Sequence, residues 1–100
     1  MHEEPDGYDG EVTVEVAGES PRTARAVLAA RFDPLVGHVV WTGRVAAELP
    51  LRVPLVVTTP HGGARAEGTE RDVWGNTRVR GTDRPPFPVE LLDGADEPVA

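Results

Sequence analysis

Residues 23–45, TARAVLAARFDPLVGHVVWTGRV, decide the fold of this chain. The first half of the stretch permits two readings. Ser20-Pro21 ahead of it resembles a helix N-cap followed by proline at the first helical position, and the alanine, leucine and arginine after it favour helix. The same residues also alternate. Ala24, Ala26, Leu28, Ala30 and Phe32 share one parity against Thr23, Arg25, Val27, Ala29 and Arg31, which suits a strand with small residues packed inward. The second half of the stretch favours the strand. Asp33-Pro34-Leu35-Val36-Gly37 is a turn sequence, with proline setting φ and glycine permitting a left-handed conformation. His38 to Val45 then alternates again, with Val39, Trp41, Gly43 and Val45 on one face and His38, Val40, Thr42 and Arg44 on the other. A hairpin pairing 23–32 with 38–46 results. Gly43 inside the strand marks a bend, a bulge or a close backbone approach. A helical 22–32 would instead give an α+β roll.

Working outward from the hairpin, Glu11 to Val16 alternates strictly as a half-buried strand, and its parity puts Tyr8 on the buried side. Downstream, Leu51, Val53, Leu55 and Val57 share one face of a strand. Pro54 lies within it and makes it an edge or bulged strand. Pro60-His61-Gly62-Gly63 and Asp72-Val73-Trp74-Gly75-Asn76 read as turns around a strand from Ala64 to Arg71. Thr77 to Thr82 comes next, with Val79 inward and Arg78 and Arg80 outward. Arg84-Pro85-Pro86 forces an extended link, and Phe87, Val89 and Leu91 close the series. The expected fold is therefore all-β: a small antiparallel meander of about seven short strands, curled into a barrel that hides its edges. Residues 8–92 form the single domain, between an acidic flexible segment at 1–7 and an acidic tail at 93–100.

The 100 residues carry a net charge of −7, unevenly placed. Residues 1–20 hold seven acids and no arginine, 90–100 hold four acids and no arginine, and 21–89 hold ten arginines against six acids. Acidic ends disperse a protein, or cover an arginine-bearing face. Overall acidity, without a basic cluster interleaved with aromatics, excludes a nucleic-acid interface. No apolar run is long enough to span a membrane. Met1 to Gly10 does not read as a secretory leader, so the expected compartment is the cytoplasm. The chain has no cysteine and no lysine, which removes disulfides, thiolate metal sites, cysteine nucleophiles and Schiff-base chemistry.

Three segments taken together resemble a known family. They are Phe32-Asp33-Pro34 with Gly37 and Trp41-Thr42-Gly43-Arg44-Val45; Thr59-Pro60-His61-Gly62 leading into an alanine-rich strand; and Asp72-Val73-Trp74-Gly75-Asn76 with Arg78-Val79, Gly81 and Pro86-Phe87. In order and spacing they are similar to an actinobacterial domain family of unknown function, over about residues 8–90. Its members look like standalone short proteins or C-terminal extensions of flavin-dependent monooxygenases. The resemblance implies an actinobacterial origin and a setting of oxidative or specialised metabolism. It supplies no catalytic residues.

Residue chemistry narrows the candidates. His2, His38 and His61 lack metal-ligand spacing, so no metal and no cofactor is expected. Ser20, the only serine, suits a turn or cap. Trp41 is a core residue or the wall of an apolar pocket with Tyr8, Phe32 and Phe87. Trp74, in a turn, closes the core or contacts a ligand or partner. Arg44 is a solvated arginine or, on an inward face, a carboxylate clamp. Ligand binding would fall to Tyr8, Phe32, Trp41, Arg44, Trp74 and Phe87. Acid–base chemistry would fall to Tyr8, Asp33, His38 and Arg44. Three functions fit: a barrel that binds an apolar small molecule or docks on a flavin monooxygenase, a cofactor-independent cyclase or isomerase for a polyketide-like intermediate, or a structural protein-interaction domain, with a homodimer as one form of it.

Overall fold

A computed structural model describes residues 7–89. Six antiparallel strands close into a barrel: β1 (Gly7–Val16), β2 (Arg22–Asp33), β3 (His38–Val45), β4 (Pro54–Thr59), β5 (Gly62–Arg71) and β6 (Thr77–Gly81). The described residues contain no helix. The doubtful segment is strand β2, paired with β1 from Gly7↔Ala29 to Val14↔Arg22 and with β3 from Ala26↔Val45 to Asp33↔His38. Its alanines are what a narrow barrel needs on an inward face, and that packing outweighs their helix propensity.

The order around the barrel is β1-β2-β3-β6-β5-β4. Two three-stranded meanders are therefore joined by seams between β1 and β4 and between β3 and β6. Four connections are the expected hairpins. The link from β3 to β4 is not one: residues 46–53 cross one end of the barrel instead. β4 accordingly begins at Pro54, where a missing donor costs least. Leu51 leaves only a single bridge to Gly68, and Arg52 adopts a positive φ of 62°. A bulge between Gly68 and Glu70 resets the parity of β5, turning Glu70 outward opposite Arg78. The segment expected as a seventh strand is irregular at Phe87 and Val89, although both are buried. Leu91 lies outside the described residues.

The interior is filled by Val12, Val14, Ala26, Leu28, Trp41, Val45, Leu55, Val57, Ala66 and Val79, all essentially inaccessible to solvent. A six-stranded barrel is narrow, so one large side chain needs small residues facing it. Trp41 is that side chain. A Cβ on Gly81 would collide with its indole, and a Cβ on Gly43 would collide with Leu28 and the Val27 carbonyl. Gly43 thus marks a close approach.

Both ends are stoppered. At the end carrying the β2–β3 and β4–β5 turns, the indole Nε1 of Trp41 donates to the Asp83 carbonyl at 2.9 Å. The Phe87 ring meets it edge-on at 6.5 Å, and the Thr59 hydroxyl donates to the Pro86 carbonyl. At the other end Leu49 enters the core. The Thr77 hydroxyl, fully buried, donates to the Ala47 carbonyl at 2.7 Å and accepts the Leu49 amide at 3.0 Å. Arg71 and Arg22 donate to the carbonyls of Leu49 and Glu48. Among the described residues no buried side-chain nitrogen or oxygen lacks a partner.

Two substitutions test these closures. Gly81→Ala forces a methyl onto the Trp41 indole and is expected to lower stability by about 1–3 kcal/mol, the usual cost of overpacking. It should appear as a reduced urea midpoint at unchanged slope. Thr77→Val leaves the Ala47 carbonyl and Leu49 amide unpaired and is expected to cost ~1–3 kcal/mol, measured by calorimetric melting. Wild-type stability in either variant would show that the stopper in question does not hold its end.

Candidate functional site

The residues singled out by sequence are distributed over the barrel. Trp41 and Phe87 meet, but as core and stopper. Tyr8, half-buried at the start of β1, donates its hydroxyl to the Glu11 carbonyl at 2.7 Å and stands edge-on to His61 at 6.1 Å. Phe32, whose parity pointed inward, is 48% exposed, because β2 and β3 run on past the barrel rim as an arm. Asp33 accepts the Leu35 amide at 2.9 Å and serves the turn. His38 is exposed, its Nδ1 at 3.2 Å from the Val39 carbonyl. Arg44 points outward, directly opposite Arg78 on β6. Among the described residues no group of histidines and carboxylates is placed to hold a metal ion. No described helix is long and apolar enough to cross a membrane.

Open hollows lie on the outside. One of about 510 Å³ runs along the β1–β4 seam between Pro21 and Pro54, with Glu15 and Arg65 at its margins. Another of about 390 Å³ lies between Val39–Val40 and residues 81–85.

The β5–β6 turn is an exposed feature held by its own hydrogen bonds. Asp72 organises it. Its Oδ1 accepts the amides of Trp74 at 2.9 Å and Asn76 at 3.0 Å, and its Oδ2 accepts the Asn76 side-chain amide at 3.0 Å. The Asp72 amide donates to the Asn76 carbonyl at 2.9 Å. Gly75 takes the positive φ of 87° that closes the turn, and Arg44 Nε stands 3.7 Å from Asp72 Oδ2. Aspartate at the head of a turn does this because its short carboxylate reaches the amides two and four residues on. The effect is to fix the backbone while Val73 and Trp74 project into solvent, 88% and 79% exposed.

The hydrogen bond from the Asn76 amide, with those from the Asn76 side chain and the Trp74 amide and the charge of Arg44, holds the Asp72 carboxyl below the ordinary aspartate range. Together these partners outweigh the opposing effect of desolvation, which only the Asn76 amide bond exceeds singly. Sequence reasoning identified the turn and Trp74. It did not single out Val73, nor Leu35 and Val36 on the β2–β3 turn, 94% and 53% exposed. The signal was present, since apolar residues between an Asx-type turn former and glycine have no inward face to occupy.

This geometry defines a class: a small closed antiparallel barrel with a filled interior and apolar residues displayed on turns at both ends. Over residues 5–89 the chain matches the family described as Domain of unknown function (DUF4873), and it belongs to that family. No curated protein and no solved structure matches it.

Asp72 has a pH signature. A carboxyl whose pKa is lower folded than unfolded stabilises the fold at pH values above its unfolded pKa, and that contribution is lost as pH falls through the folded value. Asp72→Asn is expected to be less stable than wild type at neutral pH. The gap should narrow below about pH 4, where the unfolded-state carboxyl takes up a proton. A gap independent of pH, measured by urea unfolding across the acid range, would show that the charge of Asp72 is irrelevant to the turn.

Proposed function

We propose that the domain docks on a partner protein through the Trp74 turn. The observation that carries this reading is a tryptophan 79% exposed on a backbone already held by five hydrogen bonds between Asp72 and residues 74–76. Tryptophan contributes strongly where it enters a partner's cleft. A pre-ordered turn loses little conformational entropy on binding. Arg44, Arg71 and Arg78 line the adjoining surface with Glu70, Asp72 and Asn76, an excess of one positive charge. Arg44 and Arg78 each stand 3.7 Å from a carboxylate oxygen, of Asp72 and of Glu70, and Arg71 is bonded to the Leu49 carbonyl. The fitting partner surface is thus an apolar cleft rimmed by carboxylates.

A flavin-dependent monooxygenase is the partner class that the family resemblance suggests. The setting is then oxidative or specialised metabolism in an actinobacterial cytoplasm. A ligand pocket or an active site built from Tyr8, Phe32, Trp41, Arg44, Trp74 and Phe87, or from Tyr8, Asp33, His38 and Arg44, would need these residues to converge. Only Trp41 with Phe87 and Asp33 with His38 come together, at the end of the barrel opposite Trp74, and this gives more support to docking than to a pocket or to cyclase chemistry.

The test is calorimetric titration of the protein with a purified flavin-dependent monooxygenase from the same organism. Binding is expected, and Trp74→Ala should weaken it about thirty-fold, the size of a ~2 kcal/mol anchor residue, with the melting temperature unchanged. Equal affinity of the variant, or no binding by the wild type, would overturn the proposal.

A further inference from the structure

β3 outruns its neighbour. Thr42 to Val45 pair with β6, but His38 to Trp41 pair only with β2. β6 ends at Gly81, and the chain then stays with β5, where the Thr82 amide donates to the Arg65 carbonyl at 2.9 Å. Among the described residues the outer edge of His38–Val40 therefore has no strand beside it. The space next to it is the open groove of about 390 Å³, with Val39 and Val40 on one wall and residues 82–85 on the other. The hydrogen bond from Trp41 to Asp83 closes its inner end. The same arm displays Phe32, Leu35 and Val36. A strand edge with unpaired backbone groups and apolar residues around it is a template for another strand.

We infer that the occupant is the same edge of a second copy, paired antiparallel across a two-fold axis so that β3 continues into its counterpart. Such an interface is self-complementary. It sets the Val39–Val40 segments of the two copies against each other, a favourable β-branched cross-strand contact. The charges also suit self-association. Arg31 and Asp33 lie beside Val40 and His38 on β2, and Asp83 and Arg84 line the groove, two of each sign, so the arm does not repel its own copy. The seven acids that make the chain anionic overall lie in residues 1–6 and 90–100, since 7–89 hold ten arginines and ten acids. The edge is at the opposite end of the barrel from Trp74, and its pairing is independent of docking there.

Sedimentation of the full chain from about 5 to about 500 µM tests the inference. A monomer–dimer equilibrium with a Kd of about 10–100 µM is expected, weak because the paired edge is short. Raising the salt should tighten it, because two copies of net charge −7 repel less when screened. Docking of arginines on a carboxylate rim should weaken under the same change. Val40→Lys, a charge on the exposed edge, is expected to raise the Kd at least ~10-fold, whereas Trp74→Ala should dimerise as wild type. Hydrogen exchange on the wild type gives a second readout that needs no variant: the Val39 amide, the one in His38–Val40 that faces away from β2, should slow as concentration rises. A chain that stays monomeric at the top concentration in high salt overturns the inference. So does a dimer whose Val39 amide exchanges as fast as the monomer's.

Discussion

The Trp41 indole inside a six-stranded barrel is the constraint on which the other packing choices depend. A barrel this narrow holds one such ring only if the wall facing it lacks side chains, and Gly81 supplies that wall. The ring brings a polar N–H into an apolar space, and the Asp83 carbonyl answers it. That bond draws residues 82–86 over the end of the barrel, which places Phe87 edge-on to the indole. An aromatic side chain, a glycine, a carbonyl and a second ring form one unit, and the close of the described chain is positioned by it.

The opposite end depends on polar rather than aromatic contacts. The β3–β4 link has to cross the barrel mouth, and its backbone groups need partners there. One buried hydroxyl, that of Thr77, serves two of them, and the arginines on β2 and β5 serve others. With both mouths closed and the inward face packed, the larger open hollows lie on the outside. What the outside offers is uneven. Three pairs of strand-borne charges face each other across strands, Asp9 with Arg25, Glu67 with Arg80 and Glu70 with Arg78, and surface pairs of this kind contribute little. The turns are different. They hold large apolar side chains in water on backbones held by aspartates, at Asp33 and at Asp72. Those two places carry the functional readings.

Much of the architecture was legible from local pattern. Period-two alternation located β1, β2, β3, β5 and β6, because one face of each is buried and the other wet. The turn chemistry of Asp33 to Gly37 and Asp72 to Asn76 located two hairpins. The inward position of Trp41 and the close approach at Gly43 came from parity and from glycine within a strand. Parity failed at Phe32, where the strand outlasts the barrel, and at Glu70, where a bulge adds a residue. Periodicity carries no information on where a strand loses its neighbour. The buried Phe87 and Val89 were read as a strand because burial and alternation coincide there, yet they act as a stopper without a ladder. Of the site candidates, sequence named Trp74 and its turn. It could not say whether Tyr8, Arg44 and Trp41 share a cavity, since that depends on which strands adjoin.

The sequence by itself determined that the chain is an antiparallel β domain, which faces its strands bury, and which chemistries its residue types exclude. Those properties belong to single residues and to neighbours a few positions apart. Only the tertiary structure decided the strand order β1-β2-β3-β6-β5-β4, the two stoppers, the unpaired edge of β3 and the outward setting of Arg44 against Asp72 and Arg78. Each depends on contacts between residues far apart in the chain, such as Thr77 with Ala47 or Trp41 with Asp83. They form because the closed barrel pairs the buried side-chain nitrogens and oxygens of the described residues and leaves the indole room against Gly81.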